Sequence, residues 1–391
     1  MMRDAHAVIS ARGAKRWEQG HPWVFRSDVV QPPASPPGAV PVRDQKGRAL
    51  GWALWSPASE ISLRLIDPDP SVTIDGEWWH ATLVRAIKRR EPLNTPDTTA
   101  YRLVHGEGDG APSLIADRFD RWIVVQFLSA GIEAFRAEIV GALQAITGAE
   151  GGLARNDASV RSREGLERRV EPLWGKVPQE IEVAEYGVKF LAAPHTGQKT
   201  GAFLDQRENR ALVGSVARGR ALDMFSYHGS FALHLARGAE TVTAVDSSGP
   251  ALERARENLA LNGLTNVTLT EADAFEFLRT EVARGARYDT IVLDPPAFAK
   301  NRASVDGAIR GYRDINLHAM RLLETGGLLY SASCSYHVTK PLFLQMIQDA
   351  AAAAGRRIVL RAITGQPLDH PEVVTIPETG YLKGVLVEAA D

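Results

Sequence analysis

The fold is decided by the stretch ALDMFSYHGSFALHLAR, residues Ala221–Arg237, in which an apolar run, a turn and a helical pattern follow one another. The run is Ala221–Phe225, and apolar residues then recur at helical spacing over Ser230–Arg237. The same order of strand and helix repeats toward the carboxyl end of the chain. Such alternation forms right-handed βαβ units around a parallel sheet. The sequence therefore predicts a Rossmann-like, doubly wound α/β domain with a mostly parallel, seven-stranded sheet.

The other predicted elements of this domain follow in chain order. The strand-like runs are Thr241–Val245, Val267–Thr270, Thr290–Leu293 and Leu328–Ala332, and the helices between them are Gly249–Asn262, Ala274–Arg284, Val305–Glu324 and Lys340–Ala354. A last pair of runs, Ile358–Ala362 and Tyr381–Val387, is predicted to close one edge of the sheet.

The chain of 391 residues is too long for one hydrophobic core, and its texture predicts three domains. Residues 1–74 hold short β-like runs broken by proline and glycine, which is typical of a small β-barrel. Residues 75–185 mix a helix at Gly76–Arg90 with a hairpin whose turn is expected at Arg118–Arg121, and predict an α+β middle domain. The α/β domain then covers residues 186–391.

Composition excludes several classes of protein. No apolar run reaches the roughly 18 residues that a membrane-spanning helix needs, and the first residues lack the apolar core of a secretory signal. We therefore expect a cytoplasmic protein without membrane partners. Because Cys334 is the sole cysteine, an intramolecular disulfide and a cysteine-rich zinc site are excluded, and we expect no metal.

Basic residues cluster although the net charge is only −2. One cluster is Lys88–Arg90, and a second is formed by Arg161, Arg163, Arg168 and Arg169. These side chains are either contacts for nucleic-acid phosphates or ordinary solvated surface, and charge alone does not separate the two interpretations.

Carboxylates stand at the carboxyl ends of successive strands, where open α/β sheets bind their ligands. These are Asp223, Asp246, Asp273 and Asp294. Each one alone could cap a helix, but all four together indicate a nucleoside cofactor, with Asp246 on the ribose and Asp273 on the adenine amino group. A dinucleotide would need G-x-G-x-x-G after the first strand, and only Gly229 is present there.

The reaction centre is indicated by Cys334, which follows the fifth strand in a polar Ser-Cys-Ser setting that favours ionisation of the thiol. Addition of a thiolate to C6 of a pyrimidine makes C5 nucleophilic enough to attack the methyl group of a sulfonium. Asp294 is placed to assist at N3. Pro295 and Pro296 stiffen the loop after it, and Phe298 is predicted to stack on the substrate base.

At these residues the chain resembles the RlmI-type family of bacterial 5-methylcytosine methyltransferases acting on large-subunit (23S) ribosomal RNA. The matching segments are Gly20–Phe25, His105–Gly110, Ile115–Phe119, Gln198–Arg207, Asp223–Phe231, Asp294–Phe298, Ser333–Ser335, Asp369–Pro371 and Tyr381–Gly384. The likeness covers nearly the whole chain in the same domain order. One departure is His228-Gly229-Ser230, where the family's turn often reads Thr-Gly-Gly.

The resemblance implies an N-terminal PUA-like RNA-binding domain, S-adenosylmethionine as the cofactor and large-subunit ribosomal RNA as the partner. It makes Cys334 the catalytic nucleophile, with Asp294 beside it. The candidate cofactor-binding residues are Asp223, Phe225, Ser226, Tyr227, Gly229, Asp246, Ser247, Asp273 and Ala274, together with Thr200, Phe203 and Arg207 from the covering loop.

Two other functions stay open from the sequence. The Asp-Pro-Pro motif also suits methylation of a base nitrogen of guanine or adenine, and a related branch that modifies guanine lacks the cysteine. A ribosome-assembly factor that binds RNA without catalysis is the second alternative. The oligomeric state is also left open, with a homodimer among the options.

Overall fold

The structure is a computed structural model that describes residues 6–299 and 301–391. The chain forms two compact units. The first holds residues up to Val183 together with Ala192–Leu204 and Leu368–Thr379, and the second holds Ala184–Leu191, Asp205–Pro367 and Gly380–Asp391. Among the described residues, no helix combines the length and the apolar character needed to cross a membrane.

The first unit contains a six-stranded and a five-stranded sheet. Its strands are β1 (Ala7–Ile9), β2 (Trp23–Val24), β3 (Val29–Gln31), β4 (Gly38–Asp44), β5 (Ala49–Trp55), β6 (Leu63–Asp67), β7 (Ala100–His105), β8 (Leu114–Phe119), β9 (Trp122–Phe127), β10 (Gly151–Asn156) and β11 (Arg169–Trp174). Its helices are α1 (Ala11–Glu18), α2 (Gly76–Lys88), α3 (Ala130–Glu133), α4 (Arg136–Thr147) and α5 (Val160–Arg163). The strand orders are β2-β6-β5-β4-β1-β3 and β11-β10-β9-β8-β7.

Helix α2 shows why these elements form where they do. The side chain of Asp75 accepts a hydrogen bond from the backbone of Trp78 and so caps the first turn. Trp79, Leu83 and Ala86 recur on one face of the helix and are buried in the core beneath the five-stranded sheet. The helix predicted at Gly76–Arg90 is therefore confirmed to within its last residues.

The hairpin of the first unit is tighter than the sequence predicted. Strands β8 and β9 pair up to Phe119 opposite Trp122, so the turn is Asp120-Arg121 and not Arg118–Arg121. Asp120 adopts a φ of 54°, a left-handed conformation that aspartate tolerates better than most residues. The longer pairing arises because Arg118 and Phe119 extend the strand instead of turning.

A separate hairpin of β12 (Ile181–Glu185) and β13 (Val188–Ala192) links the two units along the chain. Neither this hairpin nor the helix at Arg207–Val216 was predicted from the sequence.

The second unit is built on one seven-stranded sheet of order β16-β15-β14-β17-β18-β20-β19. Its strands are β14 (Arg220–Met224), β15 (Thr241–Asp246), β16 (Val267–Glu271), β17 (Tyr288–Leu293), β18 (Leu323–Ser333), β19 (Ile358–Thr364) and β20 (Lys383–Ala389). Its helices are α6 (Arg207–Val216), α7 (Ser230–Leu235), α8 (Gly249–Leu261), α9 (Ala274–Ala283), α10 (Val305–Leu322) and α11 (Lys340–Ala354).

Strands β14 to β18 run parallel, and β20 and β19 add antiparallel at the edge. The chain leaves β14 first toward β15 and β16, and then crosses back to β17 and β18. The predicted mixed α/β fold, its seven strands and the closing pair are therefore confirmed. The reversal of direction makes β14 and β17 the switch point of the sheet.

The two faces of this sheet are covered by different helices, as the period of two along a strand requires. On one face Leu222 and Ile291 are fully buried in a core with α10 and α11. On the other face Ala221, Ala244 and Val292 pack with α6 and α7. Because helices cover both faces of the sheet, polar side chains can lie together at the carboxyl ends of the strands.

Candidate active site

The four carboxylates predicted from the sequence lie at the carboxyl ends of β14 to β17. Asp223 belongs to β14, Asp246 ends β15, Asp273 follows β16, and Asp294 follows β17. Since these strands are parallel neighbours, their ends share one edge of the sheet. The structure thus brings the four residues to the switch point, which is where α/β sheets bind ligands.

Asp223 is a buried carboxylate with only part of its hydrogen-bonding capacity used. Its Oδ2 accepts from the backbone N of Ala232 at 2.9 Å, at the start of α7. Its Oδ1, like the hydroxyl of Ser226, has no protein partner among the described residues although both are buried. Burial, reinforced by the charges of Asp294 and Asp246, raises the pKa of Asp223 well above its ordinary value. A donor or a cation from a ligand would satisfy this carboxylate.

The turn between β14 and α7 is strained, and Asp246 holds it in place. Phe225 and Tyr227 have φ angles of 64° and 50°, which cost non-glycine residues free energy. Asp246 Oδ2 accepts from the backbone N of Tyr227 at 2.8 Å, and Oδ1 accepts from Ser248 N at 2.9 Å. Gly229, with a φ of 83°, completes the turn where a Cβ would lie 3.2 Å from Ala255.

His228, the departure from the family's usual turn, is accommodated in this structure. Its ring is buried and stacks on Phe190 of β13 at 5.7 Å between centroids. Burial, with the nearby charge of Arg210, lowers the pKa of His228 to about 4, so the ring is neutral near pH 7. Asn258 donates from Nδ2 to the carbonyl of His228 at 2.9 Å. The imidazole therefore packs beneath the turn as a structural group.

Asp273 is more exposed than the other three carboxylates. Asp273 caps α9, because its side chain accepts from Glu276 N at 3.0 Å. Ala274 is buried behind it, while Ser247 is exposed beyond the end of β15. For Asp273 the helix cap is thus an observed role, and contact with an adenine stays a prediction.

Asp294 is oriented by a glutamine that the sequence did not single out. Gln206 donates from Nε2 to Asp294 Oδ1 at 2.8 Å. Gln206 Oε1 accepts from Asn209 Nδ2 at 2.6 Å and from Tyr330 Oη at 3.4 Å. Because two donors face Oε1, the amide can only present its N–H groups to Asp294.

Cys334 lies directly after β18, the strand next to β17 in the sheet. It is partly buried. The turn that follows it is fixed by the buried ammonium of Lys383, which donates to the carbonyl oxygens of Ser335 at 2.7 Å and Val338 at 2.6 Å. The structure therefore brings the sole thiol to the same edge as Asp294, as predicted.

The loop after Asp294 is packed mostly on protein. Pro295 is buried and Pro296 is exposed. Phe298 is partly buried, and its ring lies 4.7 Å from that of Tyr312 and 6.4 Å from that of Phe225. Stacking of Phe298 on a substrate base stays a prediction, since its ring already has aromatic neighbours.

The three candidates from the loop Gln198–Arg207 do not fall in one unit. Thr200 and Phe203 belong to the first unit, where the hydroxyl of Thr200 donates to Asp117 at 2.6 Å. Arg207 begins α6 in the second unit and is fully buried. Of the three, only Arg207 belongs to the unit that holds the four carboxylates.

A buried ion pair behind the site was missed from the sequence. Glu185 accepts from Arg210 at 2.7 and 2.6 Å and lies 3.1 Å from His234 Nε2. Burial alone would raise the pKa of Glu185, but the charge and hydrogen bonds of Arg210 outweigh it and hold that pKa far below its ordinary value. No local pattern connects these residues, since Glu185 and Arg210 are 25 positions apart.

Two arginines of the predicted basic clusters prove to be interior residues. Arg90 is 1% exposed and pairs with Asp109 at 2.7 and 2.8 Å, while Arg161 is 2% exposed and pairs with Glu133 at 2.7 Å. Both expectations for them, phosphate contact and solvated surface, were therefore wrong. Carboxylates within the first unit pair with these two arginines and offset the free-energy cost of burying their charge.

Comparison with protein families agrees with this geometry. Residues 8–68 match the family described as a PUA-like domain, and residues 101–385 match the family described as S-adenosylmethionine-dependent methyltransferase. The chain therefore belongs to the S-adenosylmethionine-dependent methyltransferases, and S-adenosylmethionine is its cofactor.

More narrowly, the chain is 41% identical over 386 residues to Ribosomal RNA large subunit methyltransferase I of Escherichia coli K12, covering 96% of this chain and 98% of the relative. The resemblance to the RlmI-type family is thereby confirmed.

Solved structures share the fold over the whole chain. A protein from Streptococcus mutans described as a SAM-dependent methyltransferase matches with a TM-score of 0.82 and 21% identity, covering 97% of this chain and 99% of that one. SMU.776, a methyltransferase crystallised with SAH, matches with a TM-score of 0.84, 22% identity and the same coverage. Likeness at this identity establishes the architecture.

The residues at the switch point fit the cofactor. S-adenosylmethionine carries positive charge on its sulfonium and its amino group, and hydroxyls on its ribose. The buried Oδ1 of Asp223 and hydroxyl of Ser226 offer acceptors that the described protein leaves unused. The strained turn of Phe225–Gly229 presents backbone close by, as binding of an amino-acid tail requires.

Proposed function

We propose that the protein methylates C5 of a cytosine in large-subunit (23S) ribosomal RNA through a covalent bond between Cys334 Sγ and C6 of the base. The name of the E. coli relative supports the choice of RNA. The single observation that carries the chemistry is the position of the sole cysteine after β18, one strand from Asp294.

We further propose which residues hold the cofactor. Asp223 accepts from its amino-acid portion, and Asp246 accepts from the ribose hydroxyls beside the turn that it stabilises. Asp273, at the start of α9, would accept from the adenine amino group, and Arg207 would support the site from α6. When bound, the cofactor supplies an electrophilic methyl group. The remaining candidates for this site are Phe225, Ser226, Tyr227, Gly229, Ser247, Ala274, Thr200 and Phe203.

The proposed reaction starts at Cys334 and passes through a covalent adduct with the base. The thiolate of Cys334 forms a bond to C6 while the C5=C6 π bond opens, which gives C5 an electron pair. That pair would bond the methyl carbon supplied by the cofactor, whose sulfur would keep the electrons of the broken S–CH3 bond. The carboxylic acid form of Asp294 donates its proton to N3 of the base as the addition places negative charge on the ring, and the resulting carboxylate takes that proton back when the adduct breaks down. The C5 proton then leaves to a base, and the C6–S bond breaks to restore the double bond and release the thiolate. We assign Pro295, Pro296 and Phe298 to the part of the site that would receive the base.

The domain assignment belongs to the same proposal. We assign residues 1–74 to the PUA-like RNA-binding domain, 75–185 to the middle domain and 186–391 to the methyltransferase domain. The six-stranded sheet within residues 7–67 and the five-stranded sheet within residues 100–174 support two domains within the first unit. We also propose that the protein acts in the cytoplasm, where ribosomal RNA is found.

The test compares Cys334→Ala with Ser215→Ala, which removes an exposed hydroxyl on α6. Ribosomal RNA from cells lacking the gene is offered to each purified protein, and the nucleosides are identified by mass spectrometry. We expect 5-methylcytosine with wild type and Ser215→Ala and none with Cys334→Ala. Methylation of a base nitrogen that survives in Cys334→Ala would overturn the carbon chemistry. Failure of the wild type to bind S-adenosylmethionine in calorimetry would instead favour a non-catalytic assembly factor.

A further inference from the structure

The two residues that flank Cys334 are held by one buried tyrosine. Tyr312 of α10 is fully buried, and its hydroxyl accepts from Ser333 Oγ at 2.9 Å. The same hydroxyl lies 3.0 Å from Ser335 Oγ. Ser335 N also donates to Ser333 Oγ at 3.2 Å, which closes a ring of hydrogen bonds. The backbone on both sides of the thiol is therefore tied to Tyr312.

The hydrogen bonds around the Tyr312 hydroxyl also extend to the loop that carries Asp294. Ser335 Oγ accepts from the backbone N of Ala299 at 3.1 Å. Ala299 is buried at the far end of the segment that starts at Asp294. A continuous path of hydrogen bonds thus runs from Tyr312 through Ser335 to Ala299, and it joins the two loops that follow β17 and β18.

The ring of Tyr312 is positioned independently of its hydroxyl. It lies 4.7 Å from the ring of Phe298 and 6.1 Å from that of Phe343, both between centroids. Burial, together with the charge of a Cys334 thiolate, raises the pKa of Tyr312, so the hydroxyl keeps its proton and remains a hydrogen-bond donor at neutral pH. Replacing tyrosine by phenylalanine would therefore remove the hydrogen bonds and leave the aromatic packing.

We propose that Tyr312 is a positioning residue whose hydroxyl fixes the Cys334 loop against the Asp294 loop, so that Sγ meets C6 of the base while Asp294 meets N3. This inference rests on the proposed cytosine chemistry. Two groups that must act on one ring need a fixed separation, and a misplacement of about 1 Å can lower a rate by about 100-fold. The carboxylates assigned to the cofactor take no part in the hydrogen bonds around the Tyr312 hydroxyl, so we expect cofactor binding not to depend on that hydroxyl.

The experiment compares Tyr312→Phe with Tyr288→Phe. Tyr288 is also a buried tyrosine of the second unit, and its hydroxyl donates to Glu281 at 2.8 Å, away from the site. We expect kcat of Tyr312→Phe to fall about 10- to 100-fold, with KM for RNA and the affinity for S-adenosylhomocysteine changed by less than about twofold. The rate of covalent trapping by RNA containing 5-fluorocytosine, which cannot lose its C5 substituent as a proton, should fall by the same factor as kcat.

Ser335→Ala is a second variant that removes the bridge to Ala299 by deleting a single oxygen atom, and it should show the same loss of kcat. Wild-type kcat in folded Tyr312→Phe, a loss confined to KM, or an equal loss in Tyr288→Phe would each overturn the positioning role. Cys334→Ala separates the two levels of proposal. If it retains carbon methylation, the covalent chemistry itself has failed, whereas its inactivity beside an unimpaired Tyr312→Phe refutes only the inference about Tyr312.

Discussion

Gln206→Leu tests whether Asp294 must be oriented for catalysis. The substitution removes the amide that donates to Asp294 Oδ1 at 2.8 Å and replaces it with an apolar group of similar size. A hydrogen bond to a charged group contributes about 1.5–3 kcal/mol. If that energy is fully expressed in the transition state, the rate falls about 10- to 150-fold, since about 1.4 kcal/mol corresponds to a factor of ten.

The loss of stability should be smaller than the loss of rate. Asn209 Nδ2, which donates to Gln206, also donates to the carbonyl of Gly365 at 3.0 Å. The hydroxyl of Tyr330 keeps Thr364 Oγ1 at 3.2 Å. Since both donors keep a partner, we expect the free energy of unfolding to fall by only about 1 kcal/mol.

The assay is single-turnover methyl transfer with saturating RNA and cofactor, alongside thermal unfolding of the same protein. The control is Gln345→Leu, because Gln345 also donates from its amide to an aspartate, Asp349, at 3.0 Å on the exposed face of α11. We expect the control to turn over at the wild-type rate. A folded Gln206→Leu protein with wild-type turnover would refute the orienting role.

Two further predictions concern buried charge. Burial raises the pKa of Asp223 from its ordinary 3.8, so the folded chain binds this proton more tightly than the unfolded chain, and stability falls as pH rises above that value. Asp223→Asn should remove this fall and raise the Tm of the cofactor-free protein at neutral pH. Parallel profiles of Tm against pH for the two proteins would contradict this prediction. Glu185→Gln removes the carboxylate that forms two hydrogen bonds with the buried Arg210, and it should cost about 3–5 kcal/mol in urea unfolding. Glu253→Gln, which changes an exposed partner of Arg256, should leave stability unchanged.

Local patterns were enough to predict most of the methyltransferase domain. The alternation of apolar strands and amphipathic helices depends only on residues close together in the chain. It predicted the strands and helices on both sides of the switch point. Helix α6 was not predicted because its buried side chains are mostly polar: Arg207, Asn209 and Arg210 lie inside beside a single buried valine, Val213. Hydrophobic periodicity cannot identify a helix in which most of the buried side chains are polar.

The sequence by itself determined the fold class, the edge of the sheet at which the four carboxylates lie, and the position of the sole thiol at that edge. These features follow from strand ends and helix caps, which are local. Only the tertiary structure decided which distant groups complete the site. Gln206 and Asp294 are 88 positions apart, and Lys383 reaches Ser335 across 48. Whether a charged or polar side chain is buried depends on a partner that folding brings to it, and that partner cannot be identified from the residues next to it in the chain.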